Sequence, residues 1–250
     1  MGLKSKVPPG LKRRLHLSLA FILDLTSLRL FRFPRCRPSR IEKGRLFESC
    51  LSLTQPINRS EWAEPKIHNI KLAVRGFMDC AVYPGELFSF WKMVGNPSLK
   101  NGYQKGINII RDRLDFDTGG GLCQLSGLLY HLAVSAGLEI VERHPHSTDL
   151  YTDQTRYTPL GSDATVAFGY KDLRIRNNLD RPFCFRVKIE DFCITGSVCS
   201  PSSLAVCRVE FLRTDSDDGK KVKTVRIFPD GREELMAESF YKNTSHDVRI

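Results

Sequence analysis

The chain has 250 residues, 41% of them apolar, which is normal for a globular protein and allows one large or two small domains. Its formal net charge of +10 comes from residues 1–45, which hold twelve Lys or Arg and two acidic residues, whereas the remainder holds 26 of each sign. Because this remainder is neutral, it offers no basic face for DNA or RNA, and we expect no nucleic-acid partner.

The N-terminal segment joins a basic stretch, Lys4 to Arg14, to an apolar run, Leu15 to Leu25, that Asp24 interrupts. The run is shorter than the roughly 20 apolar residues that span a bilayer, and no small-residue cleavage site follows it. Three alternatives stay open: a helix docked on the core, a peripheral membrane anchor, or a divergent signal. We expect peripheral contact with an anionic membrane through residues 4–37, and a location in the cytoplasm or at the cytoplasmic membrane.

The next elements are a helix, a turn and two strands. Apolar residues between Ile67 and Met78 recur at helical spacing, and Pro84-Gly85 is typical of a turn. The pattern then predicts a strand over Leu87 to Trp91, and a second strand over Ile107 to Ile110 that runs towards a glycine stretch.

The glycine stretch precedes a predicted helix of about sixteen residues that begins near Leu122 and ends at Gly137. Cys123 then falls in the first helical turn. Unpaired N–H groups and the positive end of the helix dipole stabilise a thiolate there, and the same N–H groups can hold an oxyanion. We therefore expect a nucleophilic thiol. The alternative is a small, buried and unreactive cysteine.

Two histidines follow this helix closely enough to serve the thiol. The segment from Leu138 begins as an alternating strand, so His144 and His146 are expected on one face together with Glu142. A histidine near the thiolate would act as base and then as acid, and Glu142, Asp149 or Asp163 could orient it. The alternative is a pair of surface histidines at a strand end.

Later segments alternate between apolar and polar residues and predict an antiparallel meander followed by a hairpin. Beyond Gly231, a short helix and a further strand are both compatible with the pattern. The expected fold class is α+β, with a thiol-bearing central helix packed on an antiparallel sheet in a papain-like arrangement. The predicted strands are Ala164 to Tyr170, Leu173 to Asn177 and Phe183 to Ile189 for the meander, and Arg208 to Leu212 and Thr224 to Phe228 for the hairpin.

The eight cysteines contain no Cys-x-x-Cys motif, which excludes the usual zinc and thioredoxin spacings. Those between Cys184 and Cys207 could form disulfides in an exported protein, but their alternating spacing fits packed, reduced cysteines equally well, and we favour the reduced form. With no metal-ligand cluster and no phosphate-binding loop in the sequence, we expect no cofactor and no metal.

Residues 79–178 resemble the core of the VanW family, which is named for an accessory protein of B-type vancomycin resistance clusters. The motifs that carry the resemblance are long, ordered and correctly spaced. They are Asn69-Ile-Lys-Leu-Ala73, Pro84-Gly-Glu-Leu-Phe-Ser-Phe90, Val94-Gly95, Gly119-Gly-Gly-Leu-Cys-Gln124, Leu129-Tyr130, Gly137-Leu-Glu-Ile-Val-Glu-Arg-His-Pro-His-Ser147, Gly161-Ser-Asp-Ala-Thr-Val166, Asp172-Leu173 and Asn177-Asn178.

This resemblance implies a site and a reaction. Some secreted family members are understood to cross-link peptidoglycan as L,D-transpeptidases through the motif cysteine, here Cys123, with His146 or His144 as base. His146-Ser147 is the more family-typical pair, so His146 is preferred. The residues implied in oxyanion or substrate contacts are Gly120, Gly121, Gln124 and Ser147, and Asp163 would orient the histidine or bind an amine.

The implied reaction is acyl transfer. Cys123 attacks a tetrapeptide stem and expels the terminal D-alanine, and an amine from another stem resolves the thioester. The expected partner is thus a peptidoglycan stem peptide or its precursor. The alternative is a non-catalytic accessory or cell-wall-binding protein of a resistance cluster. We expect three parts: residues 1–45 as a basic extension with an apolar or amphipathic helix, residues 46–200 as the VanW-like core, and residues 201–250 as a C-terminal hairpin and tail.

Overall fold

The computed structural model describes residues 8–34, 47–78, 80–110, 113–149, 151 and 156–243. Part of the predicted membrane-contacting segment, residues 4–7 and 35–37, lies outside the described residues, as do Cys36 and Asp79. The helices are α1 (Pro9–Thr26), α2 (Ala63–Val74), α3 (Phe90–Val94) and α4 (Leu122–Ser135). The strands are β1 (Ser49–Pro56), β2 (Leu87–Ser89), β3 (Lys105–Ile110), β4 (Arg113–Thr118), β5 (Glu139–Glu142), β6 (Arg174–Arg176), β7 (Cys184–Glu190), β8 (Cys193–Ser200), β9 (Arg208–Ser216), β10 (Gly219–Ile227) and β11 (Glu233–Lys242).

The strands form antiparallel sheets around α4, so the α+β class is confirmed. One sheet has the order β1-β8-β7, a second β2-β6-β5 and a third β11-β10-β9, while β3 and β4 form a hairpin. The thiol helix α4 packs against the first sheet through β1 and β8, and also contacts α2, β5 and β9.

Helix α4 is buried on nearly all sides because it combines an apolar sequence with a close approach to β8. Leu128 and Leu132 are fully buried in the main core. A Cβ atom at Gly196 of β8 would lie 2.9 Å from both leucine side chains, so glycine is needed where helix and strand meet. This contact sets the depth of α4 on the sheet and thereby the position of its N-terminus.

Several predicted elements are confirmed and two are corrected. The helices near residues 67–78 and 122–137 and the hairpin after residue 207 are present, and the segment beyond Gly231 is strand β11. The strand predicted over Leu87 to Trp91 ends at Ser89, because the Ser89 hydroxyl accepts a hydrogen bond from the Lys92 backbone N–H (3.2 Å) and starts α3.

The predicted meander is wrong. Residues 164–170 form no strand: residues 164–166 have no regular secondary structure and residues 168–170 form a turn, with an isolated bridge between Ala167 and Lys171. The two segments that follow do form strands, β6 and β7, but they belong to different sheets. Alternation predicted strands correctly in two of the three segments, but it could not say which partner each segment finds.

Helix α1 is attached to the core by a buried ion pair. The Asp24 carboxylate accepts two hydrogen bonds from the Arg174 guanidinium, at 2.6 Å and 3.2 Å. The acidic residue that interrupts the apolar run in the sequence is therefore the docking residue. Within the described residues, no helix combines the length and the apolar content needed to cross a membrane.

The expectation of reduced cysteines is wrong for the first sheet. Cys50 of β1 and Cys199 of β8 lie opposite each other in the strand register and form a disulfide. Cys80 is disulfide-bonded as well. Among the described residues, Cys123, Cys184, Cys193 and Cys207 are reduced thiols.

Candidate active site

The N-terminus of α4 is built on glycines in the left-handed region of the backbone. Gly119 has φ +92° and Gly121, the residue before the helix, has φ +96°. A Cβ atom at Gly121 would also lie 2.6 Å from Cγ of Lys66, so both conformation and space require glycine there. Cys123 is the second residue of the helix that follows.

The first turn of α4 presents free backbone donors beside the thiol. Within the described part of the chain, the N–H groups of Cys123 and Gln124 have no protein acceptor, whereas the next N–H, of Leu125, bonds to the Gly121 carbonyl (3.1 Å). Such donors can hold the oxygen of a tetrahedral intermediate.

The buried side chain of Asn69 holds the glycine stretch in place. The Asn69 amide on α2 donates to the carbonyl oxygens of Gly120 (3.1 Å) and Gln104 (3.0 Å), and its oxygen accepts from the Gln104 N–H (2.8 Å). These three bonds hold the peptide on which α4 begins, so Asn69 supports the position of Cys123 without touching it.

His146 and Asp163 complete a triad with Cys123. The His146 side chain lines the same cleft as the Cys123 thiol and interacts with it electrostatically. Its Nδ1 lies 2.7 Å from Oδ2 of Asp163, and its backbone N–H donates to the same oxygen at 2.6 Å. With Nδ1 on the carboxylate, the other ring nitrogen is left for the sulfur, which is the arrangement of a thiol, a base and an orienting acid.

The second carboxylate oxygen of Asp163 is also satisfied. Arg143 donates to Oδ1 at 3.0 Å, and the Tyr241 hydroxyl donates to the same atom. The Arg143 guanidinium further donates to the carbonyl oxygens of Gly161 (3.0 Å) and Asp163 (2.7 Å). Asp163 is therefore held in one orientation by groups from β11 and from the segment that carries His146.

The acid-bearing segment lies between the thiol helix and the histidine. Thr165 donates its N–H to the His144 carbonyl (2.7 Å), and the Cys123 sulfur lies 3.7 Å from the Val166 carbonyl oxygen. Gly127 of α4 packs against the Asp163 backbone, where a Cβ atom would be 3.4 Å from the Asp163 Cα. The stretch predicted as a strand thus bridges the elements that carry Cys123 and His146 instead of joining a sheet.

The charges of the triad shift its pKa values in directions that favour an ion pair. Burial raises the pKa of the Cys123 thiol, but the hydrogen bond and the charge of His146 outweigh it, so the pKa lies below the ordinary thiol value. Burial lowers the pKa of His146, but the bonds to Asp163 and Cys123 raise it to about 10. The pKa of Asp163 is lowered, against the effect of burial, by its bond to His146 and by Arg143. A thiolate beside an imidazolium is therefore the favoured form at neutral pH.

The structure places two of the predicted site residues away from the thiol. His144 pairs with the Glu142 carboxylate at 3.0 Å, and Ser147 is solvent-exposed; neither lines the cleft beside Cys123. His144 and His146 are predicted from the sequence to share one face of a strand. Strand β5 ends at Glu142, however, so the alternation of a strand no longer applies to these two residues.

A cleft of about 290 Å³ opens beside the thiol and reaches the predicted residues Gly120, Gly121 and Gln124. The Gln124 amide donates to the Pro56 carbonyl (3.0 Å) and to Gln55 (3.4 Å), and its buried oxygen has no partner among the described residues. Trp62, Tyr151 and Tyr157 contribute aromatic surface to the cleft. Its size and mixed lining suit a small peptide segment.

Lys66 is a basic cleft residue that forms no ion pair with a carboxylate of the described residues. Asp149 is paired with Arg156 and Lys220, each at 2.6 Å. Lys66 has no ion pair or side-chain hydrogen bond within the described part of the chain, and burial lowers its pKa to about 8 while the neighbouring Cys123 opposes this shift.

Sequence reasoning missed four supporting residues: Lys66, Asn69, Arg143 and Tyr241. Asn69 and Arg143 lie inside the motifs of the family resemblance, which could have drawn attention to them. Tyr241 is 78 residues from Asp163 and gave no signal. Among the residues the structure describes, no group of three or more His, Cys, Asp or Glu side chains is arranged to hold a metal ion.

Comparisons with known proteins match the part of the chain that carries this site. A family model described as "VanW like protein" matches residues 65–199, which include Cys123, His146 and Asp163. No solved structure gives a match.

Two relatives share this region. The vancomycin B-type resistance protein VanW of Enterococcus faecalis (strain ATCC 700802 / V583) is 32% identical over 137 residues, which are 55% of this chain and 50% of that protein. The uncharacterized protein YoaR of Bacillus subtilis (strain 168) is 37% identical over 121 residues, which are 48% of this chain and 38% of that protein. The alignments thus span half or less of the length of these relatives.

Proposed function

Because the chain belongs to the VanW family, whose model matches residues 65–199, we propose that it is a cysteine-dependent acyltransferase of the cell wall, acting on the stem peptide of peptidoglycan or its precursor. One observation carries the proposal: the contact of Cys123 with a His146 that Asp163 orients, at a glycine-built helix N-terminus beside a cleft.

The proposed reaction begins with attack of the Cys123 thiolate on an amide carbonyl of a tetrapeptide stem. The N–H groups of Cys123 and Gln124 stabilise the oxyanion. The His146 imidazolium then donates its proton to the leaving amine of the terminal D-alanine, the carbon–nitrogen bond breaks, and a thioester remains on Cys123.

The thioester is resolved by an amine from a second stem. His146, now neutral, takes a proton from the attacking amine, the new amide forms, and Cys123 leaves as the thiolate. Water in place of the amine would give hydrolysis at the same site, so the nature of the acceptor decides between an L,D-transpeptidase and a carboxypeptidase.

Two findings support a role in the cell wall. The relative from E. faecalis is named as a vancomycin B-type resistance protein, which links the family to glycopeptide resistance. The Cys50–Cys199 disulfide fits an oxidising compartment, and peptidoglycan is cross-linked outside the cytoplasmic membrane. We accordingly place the proposed reaction on the outer side of that membrane, in place of the cytoplasmic location expected from the N-terminal sequence.

The test is the pH dependence of Cys123 alkylation, located by mass spectrometry, in the wild type and in the His146→Ala and His144→Ala variants. We expect a reactive thiol with an apparent pKa below the ordinary value of about 8.5, a raised pKa in His146→Ala and no change in His144→Ala. His144→Ala is the matched control, because its ring pairs with Glu142 two residues away.

Turnover is tested with muropeptide tetrapeptides. Cys123→Ala should abolish release of D-alanine while changing the free energy of unfolding by no more than about 1–2 kcal/mol. A Cys123 that reacts only on unfolding would refute the enzyme and favour a non-catalytic accessory whose cleft binds the stem peptide.

A further inference from the structure

We propose that Lys66 binds a carboxylate of the acyl donor, and that the site therefore selects a stem peptide whose departing residue ends in a free carboxylate. This inference rests on the proposed acyl transfer and names the feature of the substrate that the cleft recognises.

The argument starts from the charges in the cleft. Asp163 is paired with His146 and Arg143, and Asp149 is paired with Arg156 and Lys220. The Lys66 ammonium, by contrast, has no carboxylate partner within the described residues. A half-buried ammonium without a partner is unfavourable in the empty site, and a bound carboxylate would relieve this.

The position of Lys66 relates this charge to the reacting atoms. Its Cγ packs over Gly121, two residues before the thiol, and the Lys66 charge interacts with that of Cys123. A carboxylate bound by Lys66 would therefore lie close to the carbonyl that Cys123 attacks. In the proposed reaction, the departing D-alanine carries such a carboxylate one residue beyond the scissile amide.

Two acyl donors that differ in one group provide the test: a tetrapeptide stem with a C-terminal carboxylate and the same peptide with a C-terminal carboxamide. A bond from an ammonium to a carboxylate should favour the first by roughly 10- to 100-fold in kcat/KM. Lys66→Gln should remove this preference by slowing the carboxylate peptide more than the carboxamide peptide, and Lys66→Arg should restore part of it. Lys71→Gln, an exposed lysine on the same helix, should leave it unchanged.

The outcomes separate the two proposals. Turnover of both peptides with a preference that survives in Lys66→Gln would overturn the role of Lys66 and leave the acyl transfer intact. If neither peptide is turned over, equilibrium binding to Cys123→Ala decides. Tighter binding of the carboxylate peptide, lost in Lys66→Gln/Cys123→Ala, supports the carboxylate site, and equal or no binding of the two peptides overturns it.

A second inference comes from α1, whose amphipathic pattern is reversed. Its docked side carries Asp24, which is buried against Arg174, and His16, whose ring lies 4.8 Å from that of Tyr170. Its outer side carries apolar side chains that are 46% to 65% exposed: Leu11, Leu15, Leu19, Phe21, Ile22, Leu23 and Leu25. A helix in water normally shows the opposite arrangement.

The charges around this apolar face point to its partner. Residues 8–34 include the basic side chains Lys12, Arg13, Arg14, Arg29 and Arg32, while their one acidic residue, Asp24, is already neutralised by Arg174. On a helical wheel, Lys12 and Arg14 flank the exposed apolar stripe. We infer that α1 is a membrane-surface helix that inserts this stripe into an anionic lipid bilayer while its other side stays docked on the core.

Sedimentation of the full chain with phosphatidylcholine vesicles, with and without phosphatidylglycerol, tests this inference. We expect binding that depends on phosphatidylglycerol and falls about 10-fold or more in Leu15→Glu/Ile22→Glu, because two exposed apolar side chains are lost from the lipid contact. The matched control is Leu212→Glu/Leu235→Glu, which adds the same charge at leucines that are similarly exposed on β9 and β11. It should bind as the wild type does.

A second variant separates the electrostatic contribution to membrane binding from the insertion of apolar side chains. Lys12→Gln/Arg14→Gln should weaken binding to phosphatidylglycerol vesicles by about 10-fold, at roughly 1 kcal/mol per basic residue. No binding by the wild type, or equal binding by the Leu15→Glu/Ile22→Glu variant, would overturn the membrane role. A different result would assign the apolar face to a second copy of the chain: a wild type that does not bind vesicles but forms a dimer, and a Leu15→Glu/Ile22→Glu variant that does not dimerise.

Discussion

Helices α1 and α4 are both rich in leucine, but the fold uses them in opposite ways. Helix α4 buries most of its side chains against the sheets, and its packed position determines where the thiol lies. Helix α1 exposes its leucines and is held by the Asp24–Arg174 ion pair. Apolar content alone therefore does not make a helix part of the core. The helix must also have neighbouring surfaces that cover its apolar side chains. Changes near α4 should therefore affect stability and chemistry together, and changes in α1 should affect neither.

The largest effect on turnover is expected when His146 loses the carboxylate of Asp163 beside α4. Asp163→Asn removes the charge that keeps the pKa of His146 near 10, so this pKa should fall towards its ordinary value of about 6.5. The imidazolium is then lost at neutral pH, and turnover should drop roughly 10²- to 10⁴-fold. With the carboxamide peptide, which has no carboxylate for Lys66 to bind, kcat/KM of the wild type should decline as pH rises through about 10, whereas in the variant it should decline above about 6.5. An unshifted pH profile would contradict the role of Asp163.

The burial of α4 is tested by Leu128→Ala. Leu128 is fully buried against Gly196, so the cavity should lower the free energy of unfolding by about 2–5 kcal/mol, measured by denaturant titration. Leu19→Ala on α1 is the matched change at an exposed leucine and should stay within about 0.5 kcal/mol of the wild type. Similar losses of stability in both variants would contradict the difference described between α4 and α1.

The sheet beneath α4 is tested through its disulfide. Cys50→Ser/Cys199→Ser opens the bridge between β1 and β8 and should cost about 2–4 kcal/mol of stability. Cys193→Ser, at a free and partly exposed cysteine of β8, serves as the control and should be nearly neutral. If reducing agent leaves the thermal midpoint of the wild type unchanged, the bridge has no structural role.

The smallest effect on the core is expected from the attachment of α1. Asp24→Asn weakens the pair with Arg174, but Arg174 keeps the carboxylates of Asp172 (3.1 Å) and Glu142 (3.2 Å). The free energy of unfolding of the core should change by less than about 1 kcal/mol, and Cys123 alkylation should not change. Trypsin should cut at Lys12 to Arg14 sooner than in the wild type. A slower or altered thiol reaction would mean that α1 supports the active site.

Much of the thiol side of the site could be predicted from the sequence. Helical periodicity and Gly137 gave the extent of α4, and the glycines before Leu122 indicated a helix N-terminus with Cys123 in its first turn. These are local properties, because a residue's spacing and its backbone freedom do not depend on distant partners.

The choice between the two histidines could not be predicted from spacing. Two residues apart, His144 and His146 would share a face of a strand, but β5 ends at Glu142 and their rings find different carboxylates. The segment carrying Asp163 alternated like a strand, yet it packs between α4 and the histidine segment. Both outcomes depend on which neighbour the fold brings close.

The sequence by itself determined the thiol helix, the α+β class and the family resemblance, because each is encoded in local pattern or in ordered motifs. Only the tertiary structure decided that Asp163 is held by Tyr241 and that α1 turns its leucines outward. It also decided that Lys66 lies beside the thiol with no carboxylate partner among the described residues. The physical reason is the same in each case. Burial and charge pairing are properties of residues that are far apart in the chain, and they exist only once the elements are packed together.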